Sequence, residues 1–167
     1  MAINRLNPLL FAAAALLATN SSLAQNISPQ LTPPAGAIPI GTYAAKGVQV
    51  YVCSRHGDVS EWVFKAPEAT LADAHGAVFA RHYAGPTWEA TDGSKIVGKM
   101  IQSVPSPTVG AIPWLLLSTT ASGTGVLSGA RYVQRIKTVG GVGATGPCPD
   151  LGAEQRVPYT AEYVIYR

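Results

Sequence analysis

The side chains best equipped for chemistry sit together in one stretch: Arg81-His82-Tyr83-Ala84-Gly85-Pro86-Thr87-Trp88-Glu89-Ala90-Thr91-Asp92-Gly93-Ser94. Turn signals at Gly85-Pro86 and Asp92-Gly93 bend this segment back on itself, which brings its polar groups within reach of one another. Trp88 and Tyr83 suit the walls of a ligand cleft, with His82, Glu89 and Asp92 as its convergent polar groups and Arg135 reaching in from a neighbouring strand. A rival chemistry uses His82 as a general base oriented by Asp92 or Glu89, which requires an imidazole tuned near neutral pH. The plain alternative is a buried Trp at a corner whose polar neighbours satisfy backbone groups.

Other signatures carry less. Gly141-Val142-Gly143-Ala144-Thr145-Gly146 spells G-x-G-x-x-G. A dinucleotide fingerprint needs a helix to start at those glycines, and here Pro147-Cys148-Pro149 follows at once, so a nicotinamide dehydrogenase is excluded. Gly123-Thr124-Gly125 with Gly129 fails for the same reason. His56, His75 and His82 form no H-x-H or H-x-x-x-H pair, so no metal site is assigned, although Asp58 or Asp92 could supply an oxygen ligand if they converged. No G-x-S-x-G elbow is present. A carboxylate pair for glycoside chemistry drawn from Glu61, Glu89, Asp92 and Glu162 would be arbitrary. No cofactor is called for.

These residues must be positioned by something, and the frame begins with an N-terminal leader. Arg5 precedes an apolar run, Leu9–Ala18, and Ser22-Leu23-Ala24 places small residues where a signal peptidase reads, so residues 1–24 are expected to be a cleaved signal peptide. Ten apolar residues make a helix of only about 15 Å, half a bilayer, so no membrane span is expected after cleavage. The mature chain, Gln25–Arg167, loses Arg5 and its formal charge falls from +3 to +2. Export implies a periplasmic or secreted protein in an oxidising compartment. Cys53 and Cys148, the only two cysteines, are then read as a disulfide closing the 94 residues between them. With 13% charged residues and no basic stripe, nucleic acid is an unsuitable partner. Disorder is unsuited to a chain that is 47% hydrophobic.

The hydrophobic period along the mature chain is two. Residues 25–46 read as an extended, Pro-containing arm, and 47–167 as one domain. Val48, Val50 and Val52 alternate against Gln49, Tyr51 and Cys53, and a turn at His56-Gly57-Asp58 leads into Val59–Phe64. Ala66–Asp73, opened by Pro67 and closed by Gly76, reads as a helical turn or loop. Ala77–Tyr83, Thr87–Thr91 and Lys95–Val104 follow as strands. Ile112–Thr120 contains Trp114-Leu115-Leu116-Leu117, an apolar run expected to be buried on both faces. Gly125–Val139 reads as a long strand, with Tyr132, Gln134 and Ile136 opposite Val133 and Arg135. In Val157–Arg167, Val157, Tyr159, Ala161, Tyr163 and Ile165 share one side. About eight strands with no long helix predict an all-β fold, an antiparallel sandwich or barrel.

With these residues in place, the chain resembles domain-of-unknown-function family 3455, exported proteins of bacteria and fungi. The stretches that carry the resemblance are Gly47–Cys53, Ala66–Leu71, His82–Glu89, Asp92–Ser94, Ile112–Leu117, Gln134-Arg135, Thr138-x-Gly140-Gly141, Cys148 and Val157–Ala161, spread from about residue 31 to the C-terminus. The resemblance implies one exported domain and brings no particular chemistry with it. The sequence therefore favours a small disulfide-closed module that binds an unknown small molecule or envelope component. An exported enzyme centred on His82 stands as the alternative. So does a self-associating envelope or matrix protein pairing through an edge of Ile112–Leu117 or Val157–Tyr166.

Overall fold

The computed structural model describes residues 26–167; the expected signal peptide, 1–24, lies outside them. A short 3-10 turn, Pro29–Leu31, precedes β1 (Pro39–His56), β2 (Val59–Ala72), β3 (Val78–Tyr83), β4 (Thr87–Ala90), β5 (Lys95–Val104), β6 (Trp114–Ser122), β7 (Tyr132–Gly140) and β8 (Glu154–Tyr166). Each strand pairs antiparallel with the next, and β8 returns to β1, so the sheet closes into a barrel of eight strands. Of the two architectures left open, the barrel is realised. Closure pairs both flanks of every strand. No helix among the described residues is long and apolar enough to cross a membrane.

Closure demands bending, and the bends come from bulges. Val50 pairs with Ala66 but Tyr51 with Phe64, leaving Lys65 as an extra residue in β2. That bulge explains a departure from expectation: Ala66–Asp73 is not a helical turn but the continuation of β2. Pro67 is tolerated there because it sits beside the interruption in the ladder. The chain reverses only at Asp73, whose Oδ1 accepts the backbone N–H groups of His75 and Ala77 at 2.9 Å each. Within residues 25–46, strand pairing starts at Pro39, and Tyr43 and Ala45 extend inward the same row as Gln49.

Two apolar cores result. The lumen holds Tyr43, Leu71, Trp88, Ile96, Leu117, Val133, Tyr163 and Ile165. A smaller cluster lies outside the sheet, where Leu31 covers Trp114, Leu116, Ile136 and Val164. Gln134 Nε2 donates to the Leu31 carbonyl at 2.8 Å and holds the N-terminal turn there. The run Trp114–Leu117 is thus buried on both faces as expected, Leu115 and Leu117 inward and Trp114 and Leu116 outward.

Residues 123–131 do not extend β7 upstream as the alternation suggested; they form a loop that folds under one end of the barrel. Leu127, fully buried, joins the lumen core from this loop. The opposite end stays open.

Candidate functional site

The open end leads to a cavity of about 430 Å³, within the range of small-molecule sites. His82 and Trp88 form its floor. They are cross-strand partners on β3 and β4, and their rings stack at 4.2 Å with planes 9° apart. Tyr163 from β8 meets both edge-on, at 5.4 Å from His82 and 5.7 Å from Trp88. Trp88 fits because Gly98 faces it from β5: a Cβ at residue 98 would lie 2.9 Å from the indole and 3.0 Å from Leu117. On the wall, Leu115, Arg135 and Tyr163 are successive register partners across β6, β7 and β8. Gln49 and Tyr51 of β1 and Phe64 of β2 complete the entrance.

The glycine-rich loop after β7 borders this mouth. Gly141 has φ +87, and a Cβ there would press Ile112, Tyr159 and Gln49 at 2.9–3.1 Å. Tyr51 Oη donates to the Gly141 carbonyl at 2.7 Å. Cys148 in the same segment is bonded to Cys53 of β1, with Cα atoms 5.7 Å apart. The expected disulfide is present, and the G-x-G-x-x-G segment is a tethered loop with no helix at its glycines.

The electrostatics follow from burial. His82 is 3% exposed, and its Nδ1 faces the Thr87 carbonyl at 2.9 Å. A carbonyl only accepts, so Nδ1 carries the proton and Nε2 is the ring's acceptor. Burial pushes the imidazole pKa down to about 3, the bond to Thr87 opposes the shift in part, and the Arg135 charge adds to it. Burial and the neighbouring Tyr163 raise the Tyr159 phenol; their hydroxyls lie 3.4 Å apart. Arg135 directs Nε and Nη2 to one acceptor, the Pro113 carbonyl, at 3.1 and 2.8 Å. The buried indole N–H groups of Trp88 in the lumen and Trp114 outside it have no hydrogen-bond partner among the described residues, and the Gln49 amide, by its hydrogen bond to Tyr159, holds that phenol down against burial.

Of the residues singled out in the sequence, the barrel brings His82, Trp88 and Arg135 to one cavity and sends the others elsewhere. Tyr83 and Glu89 fall on the outer face, because residues adjacent to an inward His82 or Trp88 must point out. There Tyr83 Oη donates to Glu89 Oε2 at 2.9 Å and Lys95 Nζ lies 3.4 Å from Glu89 Oε1. Asp92 is at the plugged end. Its Oδ1 accepts from Ser94 N–H at 3.0 Å and Ser94 Oγ at 2.6 Å, and its Oδ2 accepts from Val126 N–H at 2.8 Å. Neither carboxylate orients His82. His56 pairs with Glu61 at 2.6 Å on the first hairpin, and His75 lies in the β2–β3 turn. Among the described residues, no group of three or more His, Cys, Asp or Glu could hold a metal.

Gln49, Tyr51, Leu115 and Tyr163 also line the cavity and were not among the candidates singled out in the sequence. The available signal was a Gln and a Tyr in one alternating row of β1, since a polar residue in a row that closure turns inward must line the lumen.

Fold and site together define a closed antiparallel β-barrel with a lumen plugged at one end and open at the other. The chain belongs to the DUF3455 family of proteins of unknown function, whose family model matches residues 33–167. No curated protein matches it.

Proposed function

We propose that this is an exported protein, periplasmic or secreted, that binds a small molecule in the open end of its barrel. The observation that carries the reading is the cavity itself. Its wall is largely apolar, with His82, Arg135 and Tyr163 set among Trp88, Leu115 and Leu117, and it is bordered by a disulfide-tethered loop. A concave, mostly apolar pocket with a few convergent polar groups is how small-molecule sites are built.

Export is supported by the leader pattern of residues 1–24 and by the disulfide. Residence in water, with no membrane span, is supported by the outer face, where Glu68–Arg156, Lys137–Glu162 and Lys95–Glu89 pair. The four residues of β4 also fall short of the 9–11 or so that a membrane strand needs. The enzymatic alternative loses its main support, since His82 donates to a backbone carbonyl and its low pKa makes it a poor base. The edge-pairing alternative loses its edge, since both strands it invoked are paired on each side.

The test titrates 2-naphthalenemethanol, a neutral apolar probe, into the mature protein by calorimetry. One site per chain is expected, and Leu115→Trp, which fills the cavity, should abolish binding while the barrel stays folded. No binding to the unaltered protein, or equal binding by L115W, would sink the reading. The intact mass of the exported material checks the leader, with a chain starting at Gln25 expected.

A further inference from the structure

We propose that the lumen selects an organic anion: a carboxylate on an apolar, ring-sized body, with the carboxylate held by Arg135. This rests on the lumen being a binding site, and adds the charge and polarity of what it takes. Four observations on the cavity wall point the same way.

The first is charge. The charged side chains on the wall are Arg135 and Lys65, and no Asp or Glu lines it. Lys65 is compensated by Glu154 at 2.5 Å. Arg135 has no carboxylate partner among the described residues; its fork rests on the neutral Pro113 carbonyl. A guanidinium so placed can exchange a neutral acceptor for a charged one, and the charge-assisted bond is the stronger.

The second is polarity. Arg135, set on the wall between Leu115 and Tyr163, presents N–H donors and no acceptor, so the group of a ligand that meets it must accept. The third is the position of Arg135. Its charge depresses His82 and lowers the Tyr159 phenol against the larger effect of burial, so its field reaches the floor of the cavity rather than only the solvent. The fourth is the remaining surface: Trp88, Leu115, Leu117, Ile112 and Phe64 are apolar or aromatic, which suits a flat hydrophobic body and gives little purchase on a sugar or a polyanion.

The experiment compares three probes of one shape, 2-naphthoate, 2-naphthalenemethanol and 2-naphthalenemethylamine, by calorimetry at pH 7 on the mature protein. The carboxylate should bind about tenfold or more tighter than the alcohol, and the amine weakest. Arg135→Gln should bring the ratio of naphthoate to alcohol affinity down to about one, whatever it does to the two together; Arg135→Lys should keep part of the preference, retaining charge without the fork. If R135Q does not fold, salt dependence in the unaltered protein decides: naphthoate affinity should fall with added KCl and that of the alcohol should not. Equal affinities for carboxylate and alcohol, with L115W abolishing both, would overturn the anion selection and leave lumen binding standing. A naphthoate preference that survives in R135Q overturns the role of Arg135. Failure of all three probes would remove both readings together.

Discussion

At the residue scale, His82 shows how a side chain suited to catalysis becomes part of a floor. Strand alternation turns it inward, stacking on Trp88 removes it from water, and the Thr87 carbonyl fixes its tautomer. A consequence is acid sensitivity. The folded pKa, about 3, lies below the ordinary 6.5, so as pH falls from 6.5 the unfolded chain takes up the proton first. Stability is full above pH 6.5 and is lost progressively down to pH 3, by as much as about 5 kcal/mol from this group alone. His82→Phe keeps an aromatic stack without a titrating group. It should be less stable at pH 7, with the Thr87 carbonyl unpaired, but its urea midpoint should vary much less between pH 6.5 and 4. An unchanged slope in H82F would place the acid sensitivity elsewhere. Asp92 works in a lower window: Ser94 and the Val126 N–H hold its carboxyl below its ordinary 3.8. Its contribution is present above that value and lost as pH falls through the folded one.

At the scale of elements, the loop between β6 and β7 is the piece that decides which end of the barrel is closed and which is open. Leu127 enters the lumen from below, and its N–H donates to Ser94 Oγ at 3.2 Å while Asp92 takes the Val126 N–H. The plug is therefore stapled to the β4–β5 turn by the same Asp92 that the sequence offered as a site residue. Leu127→Ala should cost about 2–5 kcal/mol in urea unfolding, as expected of a fully buried Leu. Asp92→Ala should leave Leu127 in place but speed amide exchange at Val126 and Leu127. Neither change touches the open end, so naphthalenemethanol binding should survive both. Loss of binding in L127A with an intact fold would mean that the two ends are coupled.

At the scale of the whole molecule, the barrel is closed by the first and last strands, β1 against β8 from Pro39 to Val52. The cavity depends on that closure, because Gln49 and Tyr51 on β1 line it together with Tyr163 on β8 only when the ends meet. The disulfide supports the same geometry: Cys53 sits on β1 near the mouth, and Cys148 ties the loop that follows β7 to it, across a sequence separation of 95. A closed loop near that length is worth about 4–5 kcal/mol in the chain-entropy model, and removal of such bridges commonly costs about 2–5. The double variant C53S/C148S should unfold at correspondingly lower urea and bind naphthalenemethanol more weakly, since the Gly141 segment borders the cavity. Unaltered stability would show that the loop is held by its backbone bonds to Ser60 and Cys53.

Local chemistry in the sequence determined much of this. Period-two alternation specified the strands, Asp92-Gly93 and His56–Asp58 their turns, and the two cysteines their bond. Trp88, His82 and Arg135 were legible as site candidates because their types are rare and chemically capable. Tertiary structure alone decided which candidates share a site. Alternation says that His82 and Tyr83 point to opposite faces, but not which face becomes the lumen. That depends on closure by partners more than a hundred residues apart in sequence. The same is true of the bulge at Lys65, which kept Pro67 within a strand, and of the loop at Leu127, which filled one end of the barrel. A single strand's pattern carries its own faces; the inside of a barrel exists only when the last strand meets the first.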